Sequence, residues 1–91
     1  MHGEYKAPAG KLVVVDTEVL DGRLHRVEVT GDFFLEPPEA LDQITAALEG
    51  APADLDEDAL AARIEERLPD GAALIGFDAR AVARAVRRAL A

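Results

Sequence analysis

Two residues with useful chemistry, Lys6 and Lys11, are the only lysines in the chain and flank the bend Pro8-Ala9-Gly10. A lysine on such a segment can reach a phosphate group or a carboxylate of a partner protein, because its ammonium group is a compact charge on a long, flexible stem. Lysines that only face solvent are the commoner case. The residue chemistry therefore leaves a surface role open beside a binding role.

The chain offers no nucleophile for covalent catalysis, since it contains neither serine nor cysteine. His25 lies on a predicted strand near Thr17, and without a nucleophile to activate we expect it to be structural rather than a general base. The absence of cysteine also excludes disulfides, iron–sulfur ligation and cysteine-based zinc sites. We expect no catalytic residue in this chain.

Alternating acids at Asp54, Asp56 and Asp58 are similar to the start of a calcium-binding loop. The glycine at the turn and the distal glutamate of such a loop are missing. Acids at the start of a helix ordinarily interact with the helix dipole and solvent. We therefore predict no metal site.

A basic stripe near the C-terminus repeats every four residues and consists of Arg80, Arg84 and Arg88, with Arg87 adjacent. It lies on the helix face opposite the predicted core. A solvated face is the ordinary interpretation of such a stripe, and a docking face for an acidic protein surface is the alternative.

The formal net charge of -8, from 18 acids and 10 bases, argues against a nucleic-acid partner, because phosphate binding depends on a basic field. Twelve of the acids lie in residues 32–70. No stretch approaches the roughly 18 apolar residues that a membrane span needs. Residues 1–10 lack the apolar segment of an export signal. The predictions are a cytoplasmic location and no membrane association.

The elements that must position these residues begin with a hairpin. Residues 1–10 are predicted to be irregular, because Gly3, Pro8 and Gly10 interrupt any periodicity. Residues 11–19 and 23–30 have the composition of two strands joined at residues 20–22.

The valines predict the register of this hairpin. A two-residue Asp21-Gly22 loop would pair Val15 with Glu28 and mix charge with hydrocarbon on both faces. A three-residue loop with Gly22 as a bulge would instead pair Val15 with Val27. It would also pair Val13 with Val29, and Asp16 with Arg26. We predict the second register, because it forms one valine face and one charged face.

Gly31 and Asp32 end the second strand, and Phe33 and Phe34 follow. Gly31 permits a turn that a side chain would resist, and Asp32 can hold it by bonding to nearby amides. If the backbone stays extended, the two phenylalanines face opposite ways. Phe33 then continues the core face, and Phe34 is the better candidate for contact with a partner.

Three helices are predicted after Phe34. The first follows Pro37-Pro38, and Asp56 and Asp78 are the expected N-caps of the other two. Residues 72–77 allow either a short third strand at Leu74-Ile75 or a connector, and Gly76 favours the connector. The predicted fold class is α+β: an N-terminal antiparallel β-hairpin sheet packed against three α-helices.

Three motifs follow one another along the chain: EYKAPAGKLV at residues 4–13, the Asp21-Gly22 hairpin, and TGDFFLEP at residues 30–37. In this order they resemble the C-terminal accessory domain of lipoate–protein ligases, and residues 76–90 fit the ends of some such chains. The resemblance spans nearly the whole sequence. One departure is Ala9, where members of that family often have glycine.

The resemblance implies an α+β domain related in fold to iron–sulfur scaffold proteins, whose cysteines this chain lacks. In that family a large catalytic domain binds lipoate and ATP with magnesium and makes lipoyl-adenylate. It then transfers the lipoyl group to a lysine of an acceptor domain. The small domain is implied to be needed for adenylation without contributing a catalytic residue, and it is either fused to the catalytic domain or made separately.

We expect a single accessory domain over residues 1–91 in the separate-subunit form, because the chain begins with methionine and contains no catalytic domain. The expected partners are the catalytic subunit and the lipoyl acceptor domain, and this chain is expected to bind no cofactor by itself. The predicted contacts with the partner or the adenylate are Lys6, Gly10, Lys11, Gly31, Asp32, Phe33 and Phe34. The alternative is a stand-alone protein-binding or scaffold module of the same fold with no role in lipoylation.

Overall fold

The computed structural model describes all 91 residues and contains two antiparallel sheets and three helices. The elements in chain order are β1 (His2–Lys6), β2 (Leu12–Leu20), β3 (Arg23–Gly31), β4 (Phe34–Glu36), α1 (Ala40–Leu48), α2 (Glu57–Arg67), β5 (Ala73–Ile75) and α3 (Ala79–Leu90). The larger sheet has the order β1-β2-β3, and the smaller one pairs β4 with β5. The predicted α+β class is confirmed.

The prediction that residues 1–10 are irregular was wrong, because β1 occupies half of them. It pairs antiparallel with β2, with His2 opposite Asp16 and Lys6 opposite Leu12. Gly3 does not interrupt this strand. A β-carbon there would lie 2.3 Å from the Ala85 carbonyl oxygen, so glycine is the residue that lets β1 pack directly on the backbone of α3.

The predicted register of the β2–β3 hairpin was also wrong. Leu20 pairs with Arg23 around a two-residue turn, and beyond the turn Val15 pairs with Val29. The register shifts between these points, where Arg26 and Val27 on β3 oppose a single residue of β2. Arg26 has a φ of 54°, as expected for a β-bulge that contains a left-handed residue.

This bulge preserves the predicted valine face. Val13, Val15, Val27 and Val29 are all buried. A carboxylate from the end of α1 stabilises the bulge, since Glu49 accepts hydrogen bonds from the amides of Arg26 (2.8 Å) and Val27 (3.0 Å). The predicted Asp16–Arg26 pair does not form. The guanidinium of Arg26 lies 3.7 Å from Glu18 instead.

Residues 73–75 form a strand rather than the predicted connector. Leu74 lies opposite Leu35 of β4, and both are partly buried against the core. Gly76, with a φ of 86°, follows the strand and ends it, and so does not prevent the strand as the sequence pattern predicts.

The helices cover one face of the larger sheet. The last helix, α3, packs on β1 and β2, while α1 packs on β3 and α2 contacts both other helices. The predicted N-caps are confirmed, since Asp56 accepts from the amide of Ala59 and Asp78 from that of Ala81, each at 2.8 Å. None of the three helices combines the length and apolar character required to cross a bilayer.

Candidate functional site

Lys6 and Lys11 lie on either side of the turn between β1 and β2, at the same end of the larger sheet. Ala7 closes this turn by donating its amide to the Lys11 carbonyl (2.8 Å), and Gly10 donates to the Ala7 carbonyl (2.8 Å). Gly10 has a φ of 101°, a conformation that favours glycine. Backbone hydrogen bonds therefore hold the turn, and they fix the positions of the Lys6 and Lys11 backbones.

The Gly31-Asp32 segment lies directly against this turn. The Asp32 carboxylate accepts a 2.7 Å hydrogen bond from the amide of Leu12, 20 residues earlier in the chain. A β-carbon on Gly31 would be 2.1 Å from the Leu12 carbonyl oxygen, which requires glycine at this approach. The structure thus brings the two halves of the predicted contact set together. We call residues 6–12 and 31–34 the corner.

The two phenylalanines of the corner have different environments, as the alternation predicts. Phe33 stacks on the buried Phe77, with ring centroids 4.0 Å apart and an interplanar angle of 25°. Phe34 faces away from the core and is 66% exposed. The packing role of Phe33 and the exposure of Phe34 are confirmed, while contact of Phe34 with a partner stays a prediction.

The lysines of the corner have no carboxylate partner within the chain. None of its ion pairs involves Lys6 or Lys11. The stem of Lys11 packs over Gly76, where a β-carbon would come within 2.1 Å of the lysine Cγ. The ammonium groups of both lysines are therefore available to an anionic partner.

The arginine stripe of α3 does not face solvent freely. Arg84 binds the Glu57 carboxylate through Nε (2.6 Å) and Nη2 (3.1 Å), and Arg80 contacts Glu57 (3.0 Å) and Asp58 (2.6 Å). The hydrogen bonds that Glu57 accepts, first those from Arg84 and then the one from Arg80, lower its pKa to about 2. The same pairing raises the pKa of the Arg84 guanidinium.

The remaining arginines of the stripe bind backbone carbonyls. Arg87 donates to the carbonyls of Ala53 (2.9 Å) and Leu55 (3.2 Å), and Arg88 donates to that of Glu4 (3.0 Å). Arg84 and Arg88 also each lie 5.0 Å from the centre of the Tyr5 ring, in cation–π geometry. The stripe therefore joins α3 to α2 and β1, and its role as a docking face stays a prediction.

A shallow cleft of about 160 Å³ lies between this stripe and the turn that bears the lysines, and it is lined by Tyr5, Pro8, Asp78, Arg80, Ala81 and Arg84. Tyr5 was not among the predicted site residues. Its hydroxyl accepts a hydrogen bond from Arg84 (3.2 Å), so the strand that leads into the turn is fixed on α3. The sequence signal for this contact is weak, because the two residues are 79 positions apart.

A histidine that the sequence analysis did not single out, His2, lies exposed between two carboxylates. Its ring nitrogens are each 2.7 Å from an acceptor, Nδ1 from Asp16 and Nε2 from Glu4. These contacts, first the hydrogen bond with Glu4, raise the pKa of His2. His25 is only partly exposed, and its carbonyl accepts a hydrogen bond from the buried Thr17.

The corner brings together groups of the kind that take part in binding. It combines free ammonium groups, an exposed aromatic ring and a backbone held in place by Gly31 and Asp32. Asp56 and Asp58, two of the alternating acids, respectively cap α2 and pair with Arg80. Both acids thus have structural partners.

No protein-family model matches the sequence, and no curated protein is detectably similar to it. The fold is similar to that of a solved chain from the structural analysis of an archaeal lipoylation system, a bi-partite lipoate protein ligase and its E2 lipoyl domain from Thermoplasma acidophilum. The TM-score is 0.75 at 20% identity, and the match covers 96% of this chain and 93% of the other. At this identity the likeness establishes a shared fold.

Proposed function

We propose that this chain is the non-catalytic accessory subunit of a two-component lipoate–protein ligase, needed by its catalytic subunit for ATP-dependent adenylation of lipoate and hence for protein lipoylation. The observation that carries the proposal is a shared fold, over nearly the whole length of both chains, with a component of a bipartite lipoate ligase system. The motifs at residues 4–13 and 30–37, which resemble those of the accessory domain of lipoate–protein ligases, also support it, and they meet at the corner.

In this proposal the corner contacts the catalytic subunit or the adenylate that forms on it. ATP and lipoate, with magnesium, bind the catalytic subunit and not this chain. Lys6 and Lys11 supply positive charge toward a phosphate group or partner carboxylates, and Phe34 supplies apolar contact area. The chain contributes no nucleophile, so it acts by ordering the site on its partner.

The test is pyrophosphate release by the purified catalytic subunit with ATP, magnesium and lipoate, with and without this chain. Addition of the chain should increase the rate. Lys6→Ala and Phe33→Ala should reduce this gain, whereas Arg67→Ala, which changes an exposed arginine on α2 with no ion pair, should not. No gain from the unaltered chain would refute the proposal. Unchanged activation by a folded variant would remove that residue from the contact set.

The intact mass of this chain after the reaction separates the accessory role from that of a lipoyl acceptor. An acceptor would gain one lipoyl group on Lys6 or Lys11, its only lysines. We expect an unchanged mass here and a lipoylated lysine on the acceptor domain added to the same mixture. A stand-alone scaffold module would produce neither the rate gain nor any lipoylation.

A further inference from the structure

The smaller sheet presents an apolar pair to solvent. Phe34 lies directly opposite Ile75 in the β4–β5 ladder, and the two residues are 66% and 53% exposed. The neighbouring pair, Leu35 and Leu74, points the other way and packs against the core. A strand with one solvated face ordinarily places polar residues on that face, so a phenylalanine opposite an isoleucine there requires a reason.

One free cation lies beside this pair, and a second lies at the same end of the larger sheet. The stem of Lys11 packs over Gly76, the residue after Ile75. Lys6 lies opposite Leu12, itself 37% exposed, at the same end of the larger sheet. Neither lysine takes part in an ion pair, whereas Arg80 and Arg84 of α3 are paired with carboxylates. The corner is where exposed hydrocarbon and unpaired cations lie side by side.

We propose that the Phe34–Ile75 pair is the apolar anchor by which this chain binds the catalytic subunit, inserted into a pocket whose edge carries carboxylates that face Lys6 and Lys11. This inference rests on the proposed function, which supplies the identity of the partner. An aromatic and an aliphatic side chain that bury together, with charges at the rim, have the composition of an interface hot spot. Ile75 is thereby added to the contact set that the sequence predicted.

A second copy of the chain does not fit this surface. The cleft on its own surface is lined by Arg80 and Arg84, and the one carboxylate there, Asp78, caps α3. Two copies would each carry a net charge of -8. Nucleic acid is disfavoured by the same net charge and by the small number of free cations. A different protein that presents an apolar pocket edged with acids is complementary both to the exposed Phe34–Ile75 pair and to the free lysines.

The alternative explanation is that Phe34 and Ile75 are present only because both residue types favour strands and stabilise a short ladder. Phe34→Thr and Ile75→Thr distinguish the two explanations, since threonine favours strands, as phenylalanine and isoleucine do, but removes the apolar surface. The matched control is Leu20→Thr. Leu20 is 61% exposed at the far end of β2 from Leu12, about 26 Å away at roughly 3.3 Å per residue.

The experiment measures the Kd of each variant for the purified catalytic subunit by surface plasmon resonance, with thermal unfolding as a check on folding. We expect Phe34→Thr and Ile75→Thr each to raise the Kd about tenfold or more, and Leu20→Thr to leave it unchanged. Lys11→Gln should lower kon and weaken its dependence on salt, whereas Arg67→Gln should alter neither.

Hydrogen exchange of the unaltered chain provides a test that does not depend on folded variants. In the presence of the catalytic subunit, residues 34–36 and 73–75 should become protected, and the hairpin tip at residues 20–23 should not. If the unaltered chain binds and activates the catalytic subunit but neither the threonine variants nor exchange protection implicates the pair, the anchor is refuted and the proposed function stands. If the unaltered chain does not bind, both are refuted.

Discussion

Glu49 should be the side chain that holds the hairpin in register, and its removal provides a direct test of how the valine face is built. Its carboxylate accepts from the amides of Arg26 and Val27, the two bulge residues. A hydrogen bond to a charged group contributes about 1.5–3 kcal/mol. When Glu49 is removed, water can hydrogen-bond to the exposed Arg26 amide in its place. Most of the lost stability therefore comes from the Val27 amide, which is partly buried.

The position of Glu49 at the C-cap of α1 offsets part of this loss of stability. Removal of a negative charge from a helix C-terminus recovers about 0.3–1 kcal/mol. We therefore expect Glu49→Ala to lower the free energy of unfolding by about 2 kcal/mol. At roughly 4–8 °C per kcal/mol for a domain of this size, the Tm should fall by about 8–16 °C.

Urea unfolding followed by circular dichroism measures this change, and Glu66→Ala is the control. Glu66 is exposed on α2 and its side chain forms no hydrogen bond or ion pair, so its removal should alter stability by less than about 0.5 kcal/mol. Glu49→Gln retains one acceptor and should fall between the two. If Glu49→Ala is no more destabilising than Glu66→Ala, the bulge does not depend on this carboxylate and the account of the register is wrong.

Three further changes test other contacts. Gly3→Ala forces a β-carbon into the backbone of α3 and should lower the free energy of unfolding, measured in urea, by about 1–3 kcal/mol. An unchanged midpoint of urea unfolding would contradict the close packing of β1 on α3. Glu57→Gln should destabilise the chain at pH 7, and this loss should shrink as the pH falls from near 4.5 toward about 2. The Arg84 contact lowers the pKa of Glu57 in the folded chain, so the stability that the ionised carboxylate contributes is lost when it is protonated. A difference in stability from the unaltered chain that is constant with pH would refute this. Asp32→Ala removes the acceptor of the Leu12 amide and should reduce activation of the catalytic subunit in the pyrophosphate assay, and full activation by the folded variant would show that this contact does not position the corner.

The sequence was sufficient where hydrophobic pattern decides the outcome. The buried faces of β2 and β3 follow from alternating valines, and the caps of α2 and α3 follow from Asp56 and Asp78. The register was not predictable in this way. A bulge changes the pairing without changing which residues are buried, and the group that stabilises it, Glu49, belongs to a different element.

The candidate site was likewise predictable only where neighbouring residues in the sequence determine it. The local motifs identified the lysines and the Gly31–Phe34 segment, but they could not show that Asp32 binds the Leu12 amide. Ile75 was missed because its strand is only three residues long and depends on pairing with β4. Contacts between distant segments decided these features.

The decisive experiment for the proposed accessory role is to titrate this chain into a fixed amount of the catalytic subunit, with saturating ATP, magnesium and lipoate, and to measure the initial rate of pyrophosphate release. We expect the rate to rise with added chain and to reach a plateau at one chain per catalytic subunit. A rate that stays at the level of the catalytic subunit alone, at every ratio, would contradict it.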